Sequence, residues 1–187
     1  GVQNNGIINH YEYIINSEGT IEIRHVLKPE GKMPLWFPRI GLTLTVSDAL
    51  DQVKWYGRGP QENYPDRKTG YPMGIYASTV QAMYEPYLMP QDYGLRTDVR
   101  WLQLTTDKGI GLQFKMNEWF NFNIYPYSTD NLTKAMYTYQ LQKQKGMTLN
   151  LDYATTGVGC TARGVFGAYK AMPQEYRRTI SIRPMMK

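Results

Sequence analysis

The chain has 187 residues, enough for one large domain with a substantial core. Its formal net charge of +5 is modest, and its one cysteine, Cys160, excludes intrachain disulfides and cysteine-cluster metal sites. No apolar run reaches the ~18 residues that a membrane-spanning helix needs, and no dense basic stripe interleaved with aromatics marks a nucleic-acid surface.

The first residues, Gly1 to Asn5, carry neither the basic nor the apolar segment of a signal peptide, and there is no initiator methionine. The chain reads as soluble, and its opening glycine fits either a residue added at the start or a piece of something longer. Its compartment, cytoplasmic or periplasmic, depends on what lies upstream. Period-two alternation then recurs. Ile21 and Ile23 alternate with Glu22 and Arg24, and Ile40, Leu42, Leu44 and Val46 with Gly41, Thr43 and Thr45. Such alternation is the mark of a half-buried strand. Another strand is predicted to end near Tyr56. Residues 57–98 alternate poorly and carry several prolines. So long a connection in a compact domain is functional or packed by its own side chains.

Further along, Ile110, Leu112, Phe114 and Met116 predict one strand, and Phe120, Phe122 and Ile124 another. Met147, Leu149, Leu151 and Tyr153 form the next, and Ile180 with Ile182 the last. One short helix is expected over residues 129–135, with Ser128 as N-cap and Asp130 favourable to the N-terminal dipole. The prediction is a single all-β domain over residues 1–187: a large antiparallel β-sandwich of two facing sheets with at most one short helix. On the strands' second faces, Asn121, Asn123, Asn150 and Asp152 could line a wet groove suited to sugar hydroxyls. Solvent is the favoured reading, because antiparallel sheets commonly hydrate one face. The basic residues near the end, Arg177, Arg178, Arg183 and Lys187, read as a solvated strand face.

The densest chemistry lies in residues 57–67, Gly-Arg-Gly-Pro-Gln-Glu-Asn-Tyr-Pro-Asp-Arg. Glycine and proline end regular structure there, leaving Arg58, Glu62, Asp66 and Arg67 on a loop. Glu62 and Asp66 could form an acid–base pair. Arginines so near suit a structural clasp better, with the carboxylates ion-paired or accepting backbone N–H bonds. Cys160 is expected to be a small buried hydrophobe; a Cys/His nucleophile would need the fold to bring His10 or His25 to it. Trp36, Trp55, Trp101 and Trp119 read as core or interface residues rather than sugar platforms.

Residues 55–67 closely resemble the signature of the C-terminal domain of family 2 β-galactosidases, the β-galactosidase small chain. In-order companions extend the likeness over roughly residues 20–160. They are Pro38-Arg39-Ile40-Gly41-Leu42, Met83-Tyr84-Glu85-Pro86-Tyr87, Pro90-Gln91-Asp92-Tyr93-Gly94-Leu95-Arg96, Phe122-Asn123-Ile124, Leu149-Asn150-Leu151-Asp152 and Gly157-Val158-Gly159. The resemblance implies a galactose-mutarotase-like supersandwich, the last domain of a multidomain enzyme that hydrolyses terminal β-D-galactosides. It implies no catalytic residue in this chain: the paired carboxylates of the retaining mechanism, roughly 5 Å apart, belong to a separate (β/α)8 barrel. No activity is then expected of this chain alone. It also implies no cofactor here, the family's magnesium and sodium ions belonging to other domains. The implied partners are a catalytic domain or large subunit and a galactoside, with a homo-oligomer possible through this domain.

In that family a loop of this domain places a tryptophan against the sugar. The corresponding loop, residues 160–169, has none, and Gly164 stands in its place. Arg163, Phe166 and Tyr169 are the candidates to contact substrate instead, through an aromatic face or guanidinium hydrogen bonds. The other reading is that the loop packs on a neighbouring domain. Two alternative functions remain open: an independent carbohydrate-binding module, and a mutarotase-like epimerase. The second needs a histidine acid and a carboxylate base, and neither His10 nor His25 lies in a matched block.

Overall fold

The computed structural model of the chain describes residues 5–160 and 164–186. Its frame is a nine-stranded antiparallel sheet: β1 (Gly6–Ile15), β2 (Ile21–Glu30), β3 (Arg39–Val46), β4 (Gln52–Arg58), β5 (Met73–Thr79), β6 (Arg96–Thr105), β7 (Gly111–Tyr125), β8 (Met147–Thr155) and β9 (Tyr176–Met185). One path of hydrogen-bonded neighbours runs β1-β2-β9-β7-β6-β4-β5, and β3 and β8 branch from it at β7.

The two strands expected over residues 110–124 are a single one. Both alternating stretches belong to β7, fifteen residues long, whose pairing with β6 slips between Arg96 and Trp101. Residues 111–116 of β7 pair with β9, and residues 121–125 pair with β8 instead. Beyond the slip, the β3–β8 ribbon folds back over the main path. One core unites Val53, Trp55, Leu102 and Phe114 with Leu149 and Leu151 of β8. A second unites Ile23, Tyr176 and Ile180 of β2 and β9 with Ile40 and Tyr153 of the ribbon. Strands that share a core without sharing hydrogen bonds face each other, so the architecture is an all-β sandwich. The two layers are not the separate sheets expected: β7 belongs to both.

The expected helix is α1 (Thr129–Lys134), capped by Ser128, whose hydroxyl accepts the Asn131 N–H at 3.0 Å. Three elements escaped the alternation: β1, β5 and β6. The stretch 57–98 contains β5 and the start of β6, and β1 precedes all the predicted strands. Every residue of β1 is exposed. It is nonetheless placed specifically: Asn9 meets His25 Nε2 at 2.9 Å, and the Tyr11 ring stacks on the His25 imidazole at 4.2 Å. No helix among the described residues is long and apolar enough to cross a membrane.

Candidate functional site

β4 delivers the chain to the signature loop. Trp55, the last large core residue of the strand, donates its indole N–H to the Arg58 carbonyl at 3.0 Å and so ties the loop entrance to the core. Glu62 follows, buried, and its carboxylate is saturated. It accepts from Arg67 Nη2 and the Gly94 N–H, both at 2.9 Å, from the Tyr64 hydroxyl at 3.3 Å, and from the Tyr87 hydroxyl. Burial and the neighbouring Glu62 push the Tyr64 phenol up, which keeps it a donor. Beside it, Asn63 Oδ1 accepts the Thr97 N–H at 3.1 Å while the Asn63 N–H bonds the Leu95 carbonyl at 2.8 Å. The loop is thereby stitched to residues 94–97.

Arg58 does not meet Glu62 or Asp66. Its Nε donates to Asp98 Oδ2 at 2.6 Å and its Nη1 to the Lys68 and Tyr71 carbonyls. Lys68 Nζ reaches the same carboxylate at 2.8 Å. Burial alone would raise the Asp98 carboxyl; the hydrogen bonds from Lys68 and Arg58 outweigh it and hold the group below its ordinary range. Asp66 turns the other way, accepting the backbone N–H groups of Val158 at 3.0 Å and Gly159 at 2.7 Å. Gly157 is required beside it, since a Cβ there would collide with the Asp66 carboxylate. The four charged residues therefore serve three connections: Glu62–Arg67 within the loop, Arg58–Asp98 to β6, and Asp66 to the segment after β8.

That last connection governs the downstream loop. Its base is closed by the Gly157 N–H on the Tyr169 carbonyl at 2.8 Å. Thr156 fastens it to residues 36–38: its hydroxyl donates to the Phe37 carbonyl at 2.5 Å and accepts the Ala171 N–H at 2.9 Å. Phe166 is 65% exposed and Tyr169 is exposed beside it; Leu35 and Trp36 are exposed on the adjoining segment, where Lys170 lies over the Trp36 ring at 5.7 Å. Arg163 lies outside the described residues. Cys160, expected to be buried, is exposed, because it follows the clasped glycines outward and does not return to the core.

The polar faces of β7 and β8 overturn another expectation. Asn123, Asn150 and Asp152 are buried rather than solvent-facing, and Asn121 is half-buried. The polar partners of the buried three come from Asp92 and Tyr93, from Arg39 and Thr43 of β3, and from one another. Asn123 Nδ2 donates to Asp92 at 2.9 Å and to the Tyr93 carbonyl at 3.0 Å, and its Oδ1 accepts from Asn150 at 2.8 Å. Tyr125 bonds Asp92 at 3.1 Å. Arg39 stands between two carboxylates, 3.0 Å from Asp92 and 3.2 Å from Asp152. Burial pushes the Asp152 carboxyl up to about 7 against the pull of Arg39. Asp92, Tyr125, Thr129 and Thr133 border an open recess of about 270 Å³.

The remaining candidates separate. His25 is buried between Tyr153 and Asn9 and its pKa is lowered by burial, while His10, its neighbour on β1, is exposed. Both belong to the β1–β2 pair, where His25 is held by Tyr153 and Asn9. Trp55 is a core residue and Trp101 is half-buried, but Trp36 and Trp119 are exposed, Trp119 because it sits where the β6–β7 pairing slips. Among the described residues no group of three His, Cys, Asp or Glu side chains converges as metal ligands. Tyr87, Asp92 and Asp98 complete the arrangement; the first two lie in blocks that carry the family likeness but had no role assigned, and Asp98 was not singled out. Asp92 accepts from Arg39 and Asp98 from Arg58, while the Tyr87 hydroxyl donates to Glu62, and none of these pairings can be read from charge pattern alone.

A family model described as "Beta galactosidase small chain" matches residues 3–182. The chain is 38% identical over 147 residues to a beta-galactosidase of Priestia megaterium, an overlap covering 79% of this chain and 14% of that protein. It is 39% identical over 122 residues to a beta-galactosidase of Vibrio cholerae, 65% of this chain and 11% of the relative. With a beta-galactosidase of Pseudoalteromonas haloplanktis the identity is 33% over 159 residues, 83% and 14% respectively. The chain thus spans between 11% and 14% of the length of these relatives. With the signature loop, its in-order companions and the sandwich that joins them, the chain belongs to the beta-galactosidase small chain family.

Proposed function

We propose that this chain is the non-catalytic C-terminal part of a retaining family 2 β-galactosidase acting on terminal β-D-galactosides. It packs on a separate catalytic barrel and helps to shape the mouth of the sugar site. The observation that carries the reading is the clasped loop: Asp66 holds the amides of Val158 and Gly159, and the exposed Phe166 and Tyr169 stand on the segment so fixed. Aromatic side chains on a braced loop offer rigid apolar area at low entropic cost, to a sugar ring or to a neighbouring domain. The non-catalytic role is supported by the state of the carboxylates. Glu62 is filled by its donors, Asp66 by two amides, and Asp152 lies buried behind Arg39. None is an open acid facing an open base at the separation of roughly 5 Å that retention requires.

In this role Phe166 and Tyr169 give contact area to the part of a galactoside beyond the galactose, with Arg163 as a third candidate. Replacing Phe166 with alanine in the full enzyme should then raise KM for disaccharides several-fold while leaving aryl galactosides nearly unchanged. A loss of one side chain's packing is worth ~1–2 kcal/mol, about tenfold in affinity. Equal changes for both substrates would remove the loop from the sugar site. Calorimetry of the 187-residue chain with galactose and lactose separates the accessory role from a free-standing module. Binding at millimolar or tighter favours the module; no binding, with hydrolysis restored by adding the catalytic part, favours the accessory role.

A further inference from the structure

β1 pairs with β2 over its whole length, Gly6 with Glu30 through Ile15 with Ile21, and among the described residues no strand lies along its outer edge. It also carries large apolar side chains on both faces. Ile7, Tyr11, Tyr13 and Ile15 project to one side, and Ile8 and Ile14 to the other; all are exposed, Ile15 at 68% and Tyr13 at 62%. Edge strands that face water are normally protected by lysine, proline, bulges or short length. β1 has none of these: it is ten residues, regularly paired, and its doublets Ile7-Ile8 and Ile14-Ile15 break alternation as strands buried on both faces do.

We propose that β1 is an interior strand of the complete enzyme, covered on its edge and both faces by the rest of the parent polypeptide. This inference rests on the reading that the chain is one part of a longer β-galactosidase. The occupant is a strand-forming segment of that polypeptide, hydrogen-bonded to the β1 edge, together with the apolar layers on either side. A second copy of this chain does not meet the need. Edge-to-edge pairing of two β1 strands extends the sheet and leaves both faces wet, and face stacking covers one face and leaves the edge open. Closing three sides needs more chain, and the relatives carry it: this chain accounts for only 14% of the Priestia megaterium protein.

Hydrogen exchange on the full-length parent, read by mass spectrometry over residues 6–15, tests the assignment. The amides of β1 should exchange at least ~100-fold more slowly than exposed loop amides, with no fast half-set, as in an interior strand. Fast exchange of alternate amides in an intact enzyme would overturn the inference and leave the function unaffected. Protection that disappears on dilution would assign the surface to a second copy, which also overturns it. If these residues occur natively as a chain with no longer partner, the underlying reading falls first. Ile8→Lys and Tyr13→Lys in the parent provide a second arm: each should lower Tm or the yield of folded enzyme, and unchanged values for both would count against burial.

Discussion

Two regions invert the usual relation between polarity and burial, for opposite reasons. β7 and β8 bury Asn123, Asn150 and Asp152; at the sheet's far edge, β1 exposes isoleucines and tyrosines. The first region is closed within the chain. Its buried amides and carboxylates meet partners on Arg39, Asp92, Tyr125 and Thr43, so desolvation is offset by hydrogen bonds. The second is open, because no described segment lies over it. Burial of polar groups here is specified locally by complementary donors and acceptors, whereas the apolar strand is specified only as far as β2.

The contrast can be broken most severely at Glu62. Glu62→Ala should lose about 3 kcal/mol in urea unfolding, because it strands the Gly94 N–H and the Tyr64 hydroxyl in the interior. A loss below ~1 kcal/mol would show that water replaces the clasp. Gly157→Ala ranks next. The added Cβ displaces the Asp66 carboxylate, and a loss of ~2 kcal/mol is expected. In the Asp66→Ala background the same change should cost much less, since the two residues share one contact; strict additivity would break the link.

Asp152 sharpens the comparison through pH. Its folded pKa, about 7, lies above the unfolded value near ~3.9, so the folded state binds the proton more tightly. Stability from this group is fully present below the unfolded value and is lost as pH rises through about 7. Asp152→Asn removes that slope: its stability relative to wild type should climb between pH 4 and 7, and a flat difference would refute it. The smallest effect belongs to β1. Tyr13→Lys in the 187-residue chain should change stability by no more than ~0.5 kcal/mol, as at other exposed sites. A larger loss would mean that β1 is already packed without the rest of the enzyme.

Alternation was legible wherever one strand face met a core and the other did not. It located β2, β3, β7, β8 and β9 and the fold class with them. It failed at β1, whose apolar doublets lack a period of two, at β5, with its short run between prolines and the loop, and at β6, whose pairing with β7 shifts twice between Arg96 and Trp101. The loop over residues 57–67 was recognisable from its glycines, prolines and charges, but the pairings were not. Arg58 reaches Asp98, forty positions away, and Asp66 reaches Gly159, ninety-three positions away.

By itself the sequence determined the class, an all-β sandwich, and the family, because periodicity is local and a signature motif is contiguous. Tertiary structure alone decided which carboxylate each arginine meets, that the asparagine faces are covered, that Cys160 points outward, and that β1 stands bare. Each depends on what lies across from a residue in space, and neither hydrogen-bond partners nor burial are encoded in the spacing of neighbours along the chain.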